Sequence, residues 1–333
     1  MPSPRPWNAT APAPDRGASV AALAGIATLT PHAAIRKVAL VVNAAAGGVG
    51  PGASAAAGAI LERFGLGADI HTPEPAGVAE ALSLAVETRP DLLVVLAGDG
   101  TARAAAALCG PTGPLMIPLP GGTMNLLPRA LYGPVGWQQA LADALSVGVP
   151  RTVGGGEIGG RPFYVAAIMG SPALWAPARE AARRRRLGQA LQRARLALSS
   201  LFTARLRYSL DGQSGRAEAL TLMCPLVSRA MTDETALEAA ALDPSQASEL
   251  VRIGLRTLAV ELFGSRAGDW RDDPAVSISL CHSGRVWART PIPAILDGEP
   301  HLLPRQVKVK FVKNAFRALA APSAALGPSP TGG

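Results

Sequence analysis

A chain of 333 residues that is 48% hydrophobic and only 17% charged has apolar material for one large domain or two ordinary ones, which excludes the broadly disordered classes. Its net charge of +8 favours anionic partners, while 4% aromatics leaves little for bases to stack on and argues against nucleic acid. The longest mildly apolar run, residues 18–29, is alanine-rich and short of the roughly 20 residues that a membrane span needs.

Residues 1–35 carry five prolines by position 14 and read as a disordered leader. Lys37–Val42 is an apolar run on both faces, the pattern of a buried parallel strand, and Asn43 ends it. A small-residue loop, 44–52, leads into a helix over 53–64 that Gly65 and Gly67 close. A short strand over 68–72 ends at Thr72. A helix over 77–88 follows, with Val78, Ala81, Leu82 and Ala85 on one stripe. Asp91–Leu96 is the clearest strand and runs into Ala97-Gly98-Asp99-Gly100-Thr101, after which 102–109 reads as helix. Pro114–Leu119 leads into a second loop, Gly121-Gly122-Thr123-Met124-Asn125, and 137–147 reads as helix. The alternation over 36–150 predicts an α/β fold with a doubly wound parallel sheet.

The character changes near Gly154-Gly155-Gly156. Short strand candidates follow at 163–168, 205–210, 219–224, 275–281 and 286–288, which predict a mostly antiparallel β-rich domain over 151–305. A strand over 307–312 and a helix after it come last, with 306–320 completing the first domain and 321–333 a disordered tail. Cys109, Cys224 and Cys281 are odd in number and widely spaced, which fits a reducing cytoplasm rather than a disulfide framework. His32, His71, His282 and His301 are scattered without metal-ligand spacing.

The two glycine loops carry the chemistry. A strand-to-helix turn offers backbone N–H groups and the positive end of a helix dipole to an anion. Gly98 and Gly100 let the chain approach a phosphate, and Thr101 can bond it or cap the helix. Asp99 would repel phosphate unless a cation such as Mg²⁺ intervened, or unless it served as a base; it is otherwise an ordinary helix cap. The second loop follows the next strand, so both fall at the carboxyl edge of one sheet, where α/β folds bind ligands. Neither loop is a Walker A or a dinucleotide fingerprint.

Asn43 with its small loop, Thr72, Gly-Asp-Gly-Thr at 98–101 and Gly-Gly-Thr-Met-Asn at 121–125 stand in an order that resembles the diacylglycerol kinase catalytic-domain family, which includes bacterial lipid kinases and sphingosine kinases. Asp297-Gly298-Glu299-Pro300 is similar to that family's late acidic element, and otherwise reads as a hairpin turn. The resemblance spans roughly 36–320. It implies an N-terminal domain like that of NAD kinases and transfer of the γ-phosphoryl group of ATP, with Mg²⁺, to a lipid hydroxyl such as that of diacylglycerol. On that reading Asn43, Thr72, Gly98, Gly100, Thr101, Gly121, Gly122, Thr123 and Asn125 line the nucleotide site. Asp99 stands near the phosphates and the metal, and Asp297 and Glu299 reach the cleft, with Glu299 as proton acceptor. The chain departs from the family's pattern at Ala97, Ala104, Leu126 and Ser171-Pro172-Ala173. A soluble acceptor and a catalytically weak nucleotide- or lipid-binding regulator remain alternatives.

Arg179, Arg183, Arg186 and Arg193 fall within about 80° on a helical wheel. Leu187, Leu191, Ala194 and Leu198 form the adjacent stripe, so the segment reads either as an interfacial helix for an anionic membrane or as a core helix with a solvated basic face. With the kinase resemblance it implies a cytoplasmic, peripherally membrane-associated protein. A homodimer is left open.

Overall fold

The computed structural model describes residues 35–170, 206–228, 235–242 and 276–321. The leader, the arginine-bearing segment 179–193 and the tail beyond 321 lie outside the described residues.

The first strands form where the chain is apolar on both sides. β1 (Val38–Val42) and β3 (Leu92–Ala97) are buried along their whole length. They pair in parallel with each other, β2 (Ala68–His71) flanks β1, and β4 (Leu115–Pro120) flanks β3. The crossovers are α1 (Ala53–Arg63), α2 (Val78–Glu87) and α3 (Asp99–Cys109). Beyond β4 come α4 (Leu126–Tyr132) and α5 (Trp137–Val147). α1 packs beside α5, and α2 beside α3. The small buried alanines of α3, Ala102, Ala105 and Ala106, seat it closely.

β5 (Val149–Ile158) runs straight through the triple glycine that the sequence marks as a change of character. These glycines belong to a strand because large rings lie over them. A Cβ on Gly155 would strike Tyr164, and one on Gly156 would strike Phe163. The chain continues through β6 (Arg161–Phe163), β7 (Ala166–Gly170), β8 (Leu206–Leu210), β9 (Gln213–Ala217), β10 (Ala219–Met223) and β11 (Leu237–Leu242). Next are β12 (Val276–Cys281), β13 (Ser283–Trp287), β14 (Ile292–Leu296), β15 (Glu299–Leu303) and β16 (Gln306–Ala320).

β16 corrects the expected strand-then-helix ending. It is one strand of 15 residues, with a register shift between Val312 and Phe316. Past the shift, Phe316–Ala320 pair with Val149–Val153 of β5, and Phe316, Ala318 and Ala320 are buried. Leu319 is buried as well and only Arg317 is exposed, so this end of the strand is covered on both faces, and its helix-forming alanines and leucine hide it in the sequence. Ala318 also pairs with Met116 of β4. One ten-stranded sheet results, in the order β2-β1-β3-β4-β16-β13-β8-β9, with β5 and β6 alongside β16. A second, six-stranded antiparallel sheet runs β12-β11-β10-β7-β14-β15. The fold is α/β with an N-terminal parallel sheet and a β-rich C-terminal part.

Two apolar cores follow. One lies under the helices of the parallel sheet. The other joins Leu210, Val286, Val307 and Val309 of the long sheet to Met169, Leu220 and Leu222 of the second sheet. Cys109, Cys224 and Cys281 are buried and unbonded to one another. No helix among the described residues is long and apolar enough to cross a membrane.

Candidate active site at the two glycine loops

β3 and β4 end side by side, Ala97 opposite Pro120. After β3 only Gly98 is extended, and the helix begins at Asp99. Asp99, Gly100 and Thr101 are therefore the first turn of α3 rather than a loop preceding a helix at 102. The first amides of a helix lack partners within it, so this turn presents donors and a positive dipole end to an anion.

The second loop is locked to the first through backbone contact. A Cβ on Gly121 would meet the main chain of Ala97, and one on Gly122 would meet the Cα of Gly98. Only glycine fits at either place. Gly48 donates its N–H to the Gly121 carbonyl at 2.8 Å, tying in the loop after β1. Asn125 has φ 53, a left-handed conformation that asparagine tolerates. Its side-chain oxygen accepts from the Gly122 N–H at 2.7 Å and its amide donates to the Gly122 carbonyl at 2.9 Å, closing the loop into a ring.

Asp99 bridges the two loops. Its carboxylate accepts from the N–H of Asn125 at 2.8 Å and of Leu126 at 2.6 Å, so it caps α4 from the neighbouring strand's end. Burial pushes its carboxyl above the usual range and the nearby Glu299 charge adds to this, against the pull of the Leu126 and Asn125 amides. No group of three metal-ligating side chains exists among the described residues. Each Asp99 oxygen accepts one main-chain donor, so the carboxylate works as a bridge between the loops and keeps about one lone pair on each oxygen.

Asp297 and Gly298 are the two central residues of the β14–β15 hairpin, with φ 48 and 88. Two positive φ values are the requirement of a type I′ turn, so the hairpin reading of this element holds. The turn nevertheless sits at the site. Asp297 is only 3% exposed. One of its oxygens accepts from Tyr164 N–H at 2.8 Å, the other from Val165 and Ala166 N–H at 2.9 and 3.0 Å. Burial outweighs these donors and raises its carboxyl to about 6. Three of its lone pairs are committed to main chain, which holds the hairpin in place.

Glu299, two residues on, points at the first turn of α3. A Cβ on Gly100 would collide with its carboxylate. The half-exposed Glu299 is paired at 2.8 Å with Arg103, which is largely buried. Arg103 also donates to the Leu296 carbonyl at 3.3 Å and lies 3.1 Å from Nε2 of His301. Burial, with Arg103 and Arg161 nearby, lowers the pKa of His301. Neither Arg103 nor His301 stands out in the sequence. The available signal is that Arg103 follows Asp99 by four positions on one helix, which places both on one face.

The remaining candidates surround this centre. Asn43 ends β1, donating its N–H to Leu96 and accepting from Ala45 N–H through its side chain. Thr123 is exposed at the loop tip and Thr101 is half-buried. Thr72 is exposed beyond the end of edge strand β2, two strands from β3, or about 10 Å at strand spacing. The chemistry thus concentrates on Asp99, Gly100, Glu299 and Arg103, with Thr72 at the periphery.

Residues 37–156 match the family model of the diacylglycerol kinase catalytic domain. The match covers β1 through most of β5 and includes both glycine loops. It supports a phosphotransferase of the lipid kinase family, a family that implies ATP and, usually, a divalent metal. No curated protein matches the chain. Among solved structures, a diacylglycerol kinase from Bacillus anthracis str. Sterne aligns at a TM-score of 0.62 and 16% identity, over 87% of this chain and 98% of that one. Another Bacillus anthracis structure, provisionally described as a diacylglycerol kinase, aligns at 0.64 and 18%, over 87% and 99%. At these identities the likeness carries the fold, and both halves of the chain share it.

Gly100→Ala separates the site from the scaffold. Alanine favours a helix by about 1 kcal/mol over glycine, so thermal stability is expected to hold or rise slightly. The new methyl displaces the Glu299 carboxylate, so phosphoryl transfer is expected to fall sharply. Denaturation and activity measured on one preparation check this, and parallel losses would mean that the helix itself is broken.

Proposed function

We propose that the chain is an ATP-dependent lipid kinase that transfers the γ-phosphoryl group to a hydroxyl of diacylglycerol or a related lipid alcohol at a membrane surface. The observation that carries this reading is the placement of Glu299 against Gly100. A carboxylate from the β-rich part reaches the helix turn that would cradle the phosphates. Phosphoryl transfer needs little covalent help from a protein; it needs positioned phosphates, charge stabilisation and an acceptor for the hydroxyl proton.

The amides at the start of α3 supply the cradle, the 121–125 ring walls it, and Thr101 and Thr123 supply hydroxyl donors beside it. Asn43 shapes the neighbouring loop, and Thr72 lies far enough out to serve the nucleoside end. Glu299 takes the proton from the attacking hydroxyl, and Arg103 keeps it aimed. Asp99 and Asp297 position the loops and the hairpin. A divalent cation would come with the nucleotide phosphates, and none of these roles is routed through it. The reading places the protein at the cytoplasmic membrane surface, in contact with anionic lipid.

A transfer assay with labelled ATP against a mixed lipid extract tests it. Label is expected in lipid, and Asp99→Asn is expected to reduce transfer, because an amide nitrogen cannot accept the second main-chain N–H and the two loops part. Label appearing only in water-soluble acceptors would replace the lipid with a soluble substrate. ATP binding with no transfer to any acceptor would make the chain a regulator.

A further inference from the structure

The long sheet has a second concave surface that the kinase reading does not use. It is a groove of about 760 Å³ whose lining includes Ser209, Ser283, Arg285, Trp287, Lys308 and Lys310. Strand alternation separates it from the candidate active site. Val286, Val307 and Val309 face the core shared with the second sheet, so Arg285, Lys308 and Lys310 project from the opposite face. The β14–β15 hairpin that carries Glu299 belongs to that second sheet, about 10 Å away across the sandwich.

Three cations meet here at a cost. Arg285 lies directly opposite Lys308 in the β13–β16 register, and like charges so placed are destabilising. Among the described residues neither has an acidic partner. Asp211 at the rim is already engaged by His282 and the Ser283 N–H, at 2.7 to 2.9 Å. Lys310 faces Glu157 across the ladder, which offsets one charge of the three. The lysines themselves are unusual. The chain has only four, and three fall at 308, 310 and 313, although arginine supplies nearly all other positive charge. A compositional drift toward arginine does not leave lysines clustered on one strand.

We propose that this groove is a second anion site that takes a phosphate monoester. Such a group carries nearly two negative charges and three acceptor oxygens, which suits an arginine fork and two lysines with serine hydroxyls beside them. Trp287 offers an apolar wall to whatever the phosphate is attached to. The phosphate can belong to a soluble compound or to a lipid headgroup.

The test uses the full chain and two probes: glycerol 3-phosphate by calorimetry, and phosphatidylcholine vesicles containing phosphatidate by co-sedimentation. Lys308→Glu with Lys310→Glu is expected to weaken binding of the active probe by about tenfold or more. ATP binding at the glycine loops is expected to be unchanged. Lys308→Gln alone is expected to weaken binding while holding or raising the melting temperature, because it relieves the repulsion with Arg285; a merely structural lysine would lower it. Binding of the soluble probe alone, or of vesicles alone, identifies the source. Binding of neither probe, or binding that survives charge reversal, overturns the site. None of these outcomes depends on phosphoryl transfer, so the kinase reading stands or falls separately.

Discussion

Replacing Glu299 with glutamine is expected to lower phosphoryl transfer by about 10² to 10⁴-fold, the usual range for removing a positioned general base. The substitution keeps the volume and leaves an oxygen that can still accept from Arg103 at the present 2.8 Å. Folding is therefore expected to change by no more than about 1 kcal/mol, the worth of a half-exposed ion pair. The loss should fall on kcat, with KM for ATP little changed, because in the proposed function the phosphates would rest on main-chain amides rather than on this side chain. Steady-state kinetics with varied ATP checks the split. Unchanged kcat would remove Glu299 from the proton transfer. A rise in KM alone would make it a binding residue.

The same residue shows what the sequence made legible. Glu299 is visible because it follows Asp297-Gly298 in a short acidic element late in the chain. Its contact with Gly100, 199 positions earlier, is a product of the second sheet's pairing, which local pattern does not encode. The parallel half of the fold reads well for a physical reason: β1 and β3 are apolar on both faces and glycines punctuate them. The antiparallel half reads less well. β9 (Gln-Ser-Gly-Arg-Ala) has no hydrophobic alternation, β5 hides behind three glycines, and the end of β16 is written in helix-forming residues. Within the site, Asp99 was legible as a chemical group, but its two partners at 125 and 126 were not. Arg103 was invisible because an arginine on a helix in an arginine-rich chain carries no signal until its partner is known.

Asp297 is expected to matter most for stability. Asp297→Ala leaves the N–H groups of Tyr164, Val165 and Ala166 without their acceptor in a buried place. Each such orphan costs about 1–3 kcal/mol, so a loss on the order of 3–5 kcal/mol is expected after partial relaxation. Asp297→Asn should cost less, because the oxygen that serves both Val165 and Ala166 can be kept while only the Tyr164 donor is lost. Denaturant unfolding of the two variants checks the order, and equal losses would mean that the three amides are not what the carboxylate supports. The carboxyl also predicts a pH dependence. Its folded value of about 6 lies above the ordinary 3.8, so between these values the folded chain holds a proton that the unfolded chain has released. Stability from this group therefore falls as pH rises from about 4 to about 6 and is flat above that. Acidification from pH 7 toward 5 should raise the wild-type stability relative to Asp297→Asn, which has no proton to take up there. A difference between the two that is constant with pH would show that the carboxyl titrates at its ordinary value, with the three amides outweighing burial.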